Sequence, residues 1–401
     1  MSHAKKTVAG SADDDERALA PIAALVAASV LAQIGQYGIG FVVLPLWLTR
    51  QGASAAMTGL FASLEWGGML AGITLAPRVI GSRGFGRTVA YGLLVSLAGF
   101  GMLAAPARAL VLPGACLIGL GMGLRWIGAE TPLFRGTPAR MRGRIVGLHE
   151  LLVASAAMIG PMLERLVGLT SLRALMAGGV FVALALLALI VAMRWPPMGG
   201  VIDASAAGTV RRTSPSGAMR AGAMIGITAG LCNGALYGLL PQFAHARAMA
   251  PEMTSRLLVD AGIGAALAQY PVGWLAERLG VVRSALLFSA LSLASSTILL
   301  SAHVPGALML AVLLFAGAIR ALLTLATYAA AIDDGGSADH NMRVVAGRFS
   351  IGAISGPIIA GTMMMVAGMN ALPILFVALC GSLVLYLCAT QMAIVPSRGE
   401  P

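Results

Sequence analysis

Glu65, Arg125, Glu130, Asp260 and Arg320 lie inside long apolar stretches, and His149 and Glu150 open another. An ionised group at the centre of a membrane helix costs about 2.5–3.5 kcal/mol on insertion scales, so it marks an ion path, a substrate path or an internal pairing between helices. Arginine offers a planar fork that fits carboxylates in bidentate geometry. Glu65, in "FASLEWGGML", has no basic residue within a helical turn and is the leading candidate to carry a proton; Glu130, Glu150 and Asp260 are the alternatives. Glu130 and Glu150 sit near helix ends, where they could instead meet Arg142 or Arg144. Polar partners recur at helical spacing. Arg320, Thr324, Thr327 and Tyr328 fall at i, i+4, i+7 and i+8; Gln33, Gln36 and Tyr37 at i, i+3 and i+4; Asn233 and Tyr237 at i and i+4. The competing reading for each is that it glues helices by interhelical hydrogen bonds.

The familiar catalytic patterns are missing. His149-Glu150 begins like a zinc motif, but position 153 is Val, so no metal pair forms. "GSRGFG" (81–86) lacks the spacing and the strand of a nucleotide fingerprint, and no P-loop is present. The four cysteines (Cys116, Cys232, Cys380, Cys388) all fall inside apolar runs and read as buried thiols. No enzyme, metal or cofactor is expected.

The elements that position these residues follow from composition. The chain of 401 residues is 58% hydrophobic and 11% charged, too few charges to clothe a soluble surface of that size. A net charge of +11 does not point to nucleic acid, because the arginines are scattered between apolar runs without a basic, aromatic-interleaved face. Spans of about 20 apolar residues cross a bilayer as helices. Twelve are predicted: 19–48, 56–80, 88–105, 110–133, 145–168, 173–194, 220–246, 255–277, 284–303, 307–332, 345–368 and 373–395. The first is too long, and too acidic in front, for a cleavable signal. A Pro-, Gly-, Ser- and Arg-rich segment separates two sets of six. The expected organisation is a cytoplasmic tail (1–18), a six-helix bundle (19–194), a cytoplasmic linker (195–219), a second six-helix bundle (220–395) and a cytoplasmic tail (396–401). With both termini inside, nineteen basic residues face the cytoplasm and six the outside, as the positive-inside rule requires.

The two sets repeat. Gly38, Pro45, Gly84, Arg87, Gly160 and Pro161 reappear 196 positions later as Gly234, Pro241, Gly280, Arg283, Gly356 and Pro357. Arg125 and Glu65 meet Arg320 and Asp260 at an offset of 195. Parallel six-helix repeats are a transporter pattern, with substrate expected near the midplane between them.

The chain resembles the major facilitator superfamily over nearly its whole length. "GWLAERLGVVR" (273–283) is similar to the family's loop signature, with Gly273, Glu277, Arg278, Gly280 and Arg283 at the signature positions; its first-half copy has Pro77 where an acid is expected. "GLGMGLRWIGAE" resembles the membrane-arginine motif with Arg125 at the arginine, and "GAISGPIIAG" resembles the exporter-type Gly-Pro pattern, although in helix 11 rather than helix 5, where "AAMIGPML" stands. "WIGAETPLF…RGRIVGLHELL" is similar to a bacterial efflux-type subgroup. The resemblance implies an all-α fold of twelve transmembrane helices in two pseudo-symmetric bundles, a cavity lined by helices 1, 4, 7 and 10, and alternating access. It would place Gln33, Gln36, Tyr37, Arg125, Trp126, Asn233, Tyr237, Arg320, Thr324 and Tyr328 at the substrate, with Gly160, Pro161, Gly356, Pro357 and the loop signature as conformational elements. The expected partners are a small-molecule substrate, protons and the lipid bilayer of the bacterial inner membrane, for a monomer. Arg125 and Arg320 are expected to face each other and to select an anionic group. Proton-coupled export is the leading reading, with proton-symport import of an organic anion, or a transport-inactive sensor, as alternatives.

Overall fold

A backbone in lipid must satisfy its own hydrogen bonds, and every regular element of this protein is accordingly helical among the described residues. The computed structural model describes residues 23–136, 142–167, 171–193, 217–302, 304–332 and 338–394. The expected tails (1–18 and 396–401) and the linker up to residue 216 lie outside these residues, as do the side chains of Glu130 and Glu150.

The first six helices are α1 (Ala23–Arg50), α2 (Ala55–Arg83), α3 (Phe85–Ala104), α4 (Val111–Gly136), α5 (Arg142–Val167) and α6 (Ser171–Ala192). The next six are α7 (Gly217–Ala246), α8 in two pieces (α8a, Pro251–Leu267; α8b, Gln269–Leu279), α9 (Val281–Ser301), α10 (Pro305–Ile332), α11 (Ala338–Ala367) and α12 (Ala371–Ile394). Ten of these are long and apolar enough to cross a membrane. The others are α5, charged near both ends, and α8. The single helix expected over 255–277 is broken at Ala268: Pro271 has no N–H to give the carbonyl of Leu267, so the ladder is interrupted one turn earlier. α1 is irregular as well, a π-helix occupying Ile34–Val43 ahead of Pro45.

The internal repeat is visible in backbone geometry. Gly84, between α2 and α3, has φ 83° and ψ 170°; Gly280, between α8b and α9, has φ 78° and ψ 167°. Each donates its N–H back to the preceding helix, Gly84 to Ile80 at 2.8 Å and Gly280 to Ala276 at 3.1 Å. Only glycine holds this conformation without strain.

The described residues form two compact units. One comprises the described parts of Met1–Gly40, Gly67–Gly160 and Leu169–Ala204; the other those of Phe41–Trp66, Pro161–Gly168 and Ser205–Pro401. The division passes through α1, α2 and α5, so the ends of three early helices pack with the second half of the chain. In the first unit α3 lies tightly along α4, and a Cβ on Gly160 of α5 would strike the carbonyl of Gly38 in α1. In the second, a Cβ on Gly356 of α11 would strike Leu231 of α7, and one on Gly234 would strike Ala353. The repeated Gly-Pro element thus does the same work twice, letting two helices touch backbone to backbone. Arg247, beyond α7, lies over the Phe243 ring and donates to the carbonyls of Ala302 (2.7 Å) and Leu300 (3.2 Å), closing the end of α9.

Candidate functional site

In the first unit the polar residues of α1 and α4 converge. The π-helical segment carries Gln36 inward, and Arg125 is buried at 4% exposure. Its Nε donates to Gln36 Oε1 at 2.6 Å and its Nη2 to Gln33 Oε1 at 2.8 Å. Gln36 Nε2 in turn donates to Ser96 Oγ of α3 at 2.7 Å, and Ser96 Oγ donates to the Ile118 carbonyl at 3.2 Å. The guanidinium is thereby fixed in orientation. Tyr37 and Trp126 are half-buried beside this chain of bonds in sequence, each with contacts of its own. Ser96 escaped the sequence reading. Its signal was a lone hydroxyl in an apolar helix to which the resemblance gave no cavity role.

In the second unit Arg320 is exposed midway along α10, a helix whose other residues are mostly buried. Thr324 Oγ1 lies within reach of two acceptors, Gln269 Oε1 at 3.3 Å and the Arg320 carbonyl at 3.2 Å. Tyr328, a turn further on, is 36% exposed, while on α7 Tyr237 is buried and Asn233 half-buried. Thr324 and Gln269 therefore bring a hydroxyl and an amide together one turn along from the exposed Arg320. Gln269 also went unread, its place being set by the break in α8.

The acids divide. Glu65 is fully buried and, among the described residues, neither carboxylate oxygen has a hydrogen-bond partner. Next to it Trp66 packs edge-on against Phe41 (5.1 Å between centroids) and Phe349 of α11 (5.8 Å), a packing role. On the same helix a Cβ at Gly59 would meet the carbonyl of Pro357. Ala62 touches the position of Gly238 on α7. Glu65 thus borders the seam along which α2 meets α7 and α11. Asp260 on α8a is half-buried and feels the charges of Arg256 and Arg165. His149 is buried and engaged. In the loop signature Arg278 lies over the Trp274 ring at 4.2 Å, and Glu277 and Arg283 are exposed. Among the described residues no three of His, Cys, Asp and Glu gather as a metal site.

The seam carries groups that the sequence gave no reason to single out. Gln242 of α7 donates through Nε2 to the Ala53 carbonyl (2.7 Å) and to Thr58 Oγ1 (2.9 Å). Glu164 of α5, 4% exposed, accepts from Arg50 Nη2 at 2.6 Å and from the Ser255 hydroxyl of α8a.

A duplicated set of helices long and apolar enough to cross a membrane, close-packed at repeated glycines and bearing buried polar groups, defines a multi-pass membrane protein. No protein-family model matches the chain. It is 27% identical over 243 residues to an uncharacterised MFS-type transporter of Yersinia enterocolitica, covering 59% of this chain and 62% of that protein. It is 25% identical over 245 residues to the uncharacterised MFS-type transporter YcaD of Escherichia coli, with the same coverage. The match therefore spans less than two thirds of these relatives. Among solved structures, the nucleoside transporter NupG superposes with a TM-score of 0.77 at 12% identity, covering 92% of this chain and 99% of that one. A bacterial homologue of the human lysosomal transporter Spinster gives 0.74 at 14% identity, covering 95% and 98%. The chain is thus similar in sequence to MFS-type transporters and shares the fold of these two solved transporters.

Proposed function

We propose that this protein is a secondary active transporter that moves a small organic compound bearing an anionic group across the bacterial inner membrane, exporting it in exchange for protons, as a monomer with both termini in the cytoplasm. The observation that carries the reading is Glu65. An ionised carboxylate without a partner is not tolerated in such surroundings, so the closed seam holds Glu65 as the neutral acid. Opening the seam admits water and lets the proton leave. A titrating group whose hydration depends on which side is open is what proton coupling requires.

Arg320 supplies the anchor for the substrate. Its exposed fork accepts a carboxylate in bidentate fashion, and Thr324, Gln269 and Tyr328 stand alongside to read the neighbouring polar groups. Arg125, held by Gln33 and Gln36, serves as a fixed positive charge in the first bundle (19–194), while Asn233 and Tyr237 complete the lining of the second (220–395). The Gly-Pro crossings and the loop signature carry the rocking of the bundles, and export is the direction to which the Gly-Pro pattern of α11 and the efflux-type resemblance point.

The test uses proteoliposomes with an imposed pH gradient and a panel of radiolabelled carboxylates. Wild-type protein should accumulate one of them against its gradient, and Glu65→Gln should lose accumulation while keeping exchange between equal pools. Undiminished accumulation by E65Q would remove Glu65 from coupling and leave Glu130, Glu150 or Asp260 to be tried. The sign of the gradient that drives uptake separates export from import.

A further inference from the structure

The repeat brings α2 against α11 and, by the same symmetry, α8a against α5, but it builds the two crossings from different chemistry. At the first, Gly59 abuts the carbonyl of Pro357 and Gly361 abuts that of Ala55, a contact of backbone on backbone. The residue 196 positions after Gly59 is Ser255, and here the contact is polar: the Ser255 hydroxyl donates to Glu164 Oε2, and Arg50 Nη2 pairs with Glu164 Oε1 at 2.6 Å. Glu164 is 4% exposed and Ser255 fully buried, whereas Arg50 is one-third exposed. Neither Arg50 nor Glu164 has a counterpart in the repeat, the equivalent positions being Ala246 and Ala360.

We infer that Arg50, Glu164 and Ser255 form a proton-sensitive latch that holds this end of the transporter shut while Glu164 is ionised and releases it when Glu164 takes up a proton. The inference rests on the alternating-access reading above. The ion pair joins the end of α1 to the end of α5, and the hydroxyl ties both to α8a. The charge-assisted bond from Arg50 requires a carboxylate, and the bond donated by Ser255 is stronger to one than to the neutral acid. Protonation removes the charge that Arg50 answers and leaves Glu252, which now repels Glu164, without effect on it. Asp260, with Arg256 and Arg165 beside it, forms the competing site for any pH response. Gln242, bonded to Ala53 and Thr58, is neutral, so its bonds add no pH dependence of their own. The closed end thus demands opposite states of two acids, Glu65 neutral and Glu164 ionised. A proton arriving from this side loosens the latch first, and hydration of the opened seam then frees Glu65 to exchange its own.

The experiment places spin labels at the exposed positions Gln51 and Ala250 in a cysteine-free background. Their separation is then read by double electron–electron resonance in nanodiscs from neutral to mildly acidic pH. Wild-type protein should show a short distance at neutral pH that gives way to a longer one as pH falls. Glu164→Gln should show the longer distance throughout and lose the response to pH. Ser255→Ala, a smaller perturbation, should move the transition toward neutral pH and keep its shape. Asp260→Asn should respond as wild type does. A Glu164→Gln protein that follows the wild-type profile, or an Asp260→Asn protein that loses it, overturns the inference. A wild-type distance indifferent to pH does so as well. None of these results bears on whether Glu65→Gln accumulates substrate, so the two readings fail separately.

Discussion

Arg125 and Arg320 are twins by position and opposites by environment. Arg125 is buried and bonded to Gln33 and Gln36, whereas Arg320 is exposed. The reason was legible: the residues 196 positions after Gln33 and Gln36 are Ala229 and Cys232, neither of which has a side-chain carbonyl to offer a guanidinium, although Ser96 keeps its hydroxyl as Ser292. The expectation that the two arginines face each other rests on their matching depth in the repeat and says nothing of what holds each one. Two predictions follow from the contrast. Gln36→Leu strands Arg125 Nε and alters the surroundings of Ser96, and a buried group deprived of its partner costs about 1–3 kcal/mol. The melting temperature in detergent should therefore fall by several degrees, and an unchanged melting curve would mean the network is dispensable. Arg320→Ala should leave the melting temperature alone but abolish binding of the substrate that wild type accumulates. Arg320→Lys, which keeps the charge and loses the fork, should bind at least about tenfold more weakly by scintillation proximity, roughly 1.4 kcal/mol. Normal binding by R320A would make this arginine a bystander.

At the scale of elements, hydropathy found the helices because length and apolarity are local, and the repeat found the turns because Gly84 and Gly280 do the same job. It could not find the π-helix in α1 or the break in α8 with equal ease. Pro271 announced the break, but an apolar run of about the right length hid it. The repeated Gly-Pro element was read as conformational, and its physical content is close approach: Gly160 faces Gly38, and Gly356 faces Leu231. A side chain at either glycine must push two backbones apart. Gly356→Val is therefore expected to cost about 1–3 kcal/mol or more by overpacking, seen as a lower melting temperature. Gly280→Ala, at φ 78° and ψ 167° with nothing near an added Cβ, should cost about 1–3 kcal/mol from backbone strain alone. If Gly356→Val left the melting temperature unchanged, backbone contact would not be what the Gly-Pro element supplies.

For the whole molecule, the least legible feature is the seam along which the ends of α1, α2 and α5 join the second half of the chain. Its residues, Arg50, Thr58, Glu164, Gln242 and Ser255, are distant in sequence, and the repeat offers no polar copy of Arg50, Glu164 or Gln242, whose equivalents are Ala246, Ala360 and Leu46. A transporter by alternating access must break such a seam once per cycle, so fastening it should stop turnover without unfolding anything. Thr58 and Gln242 lie on opposite sides, 2.9 Å apart through their polar atoms. With cysteines at these two positions in a cysteine-free background, a short bifunctional thiol reagent should link α2 to α7. The linked protein should then lose accumulation in proteoliposomes, keep its melting temperature, and regain transport when a cleavable linker is reduced. Singly substituted controls treated with the same reagent should keep most of their activity. Full transport by the linked protein would mean that this seam stays closed throughout the cycle, and the exchange of access would have to be sought in another part of the fold.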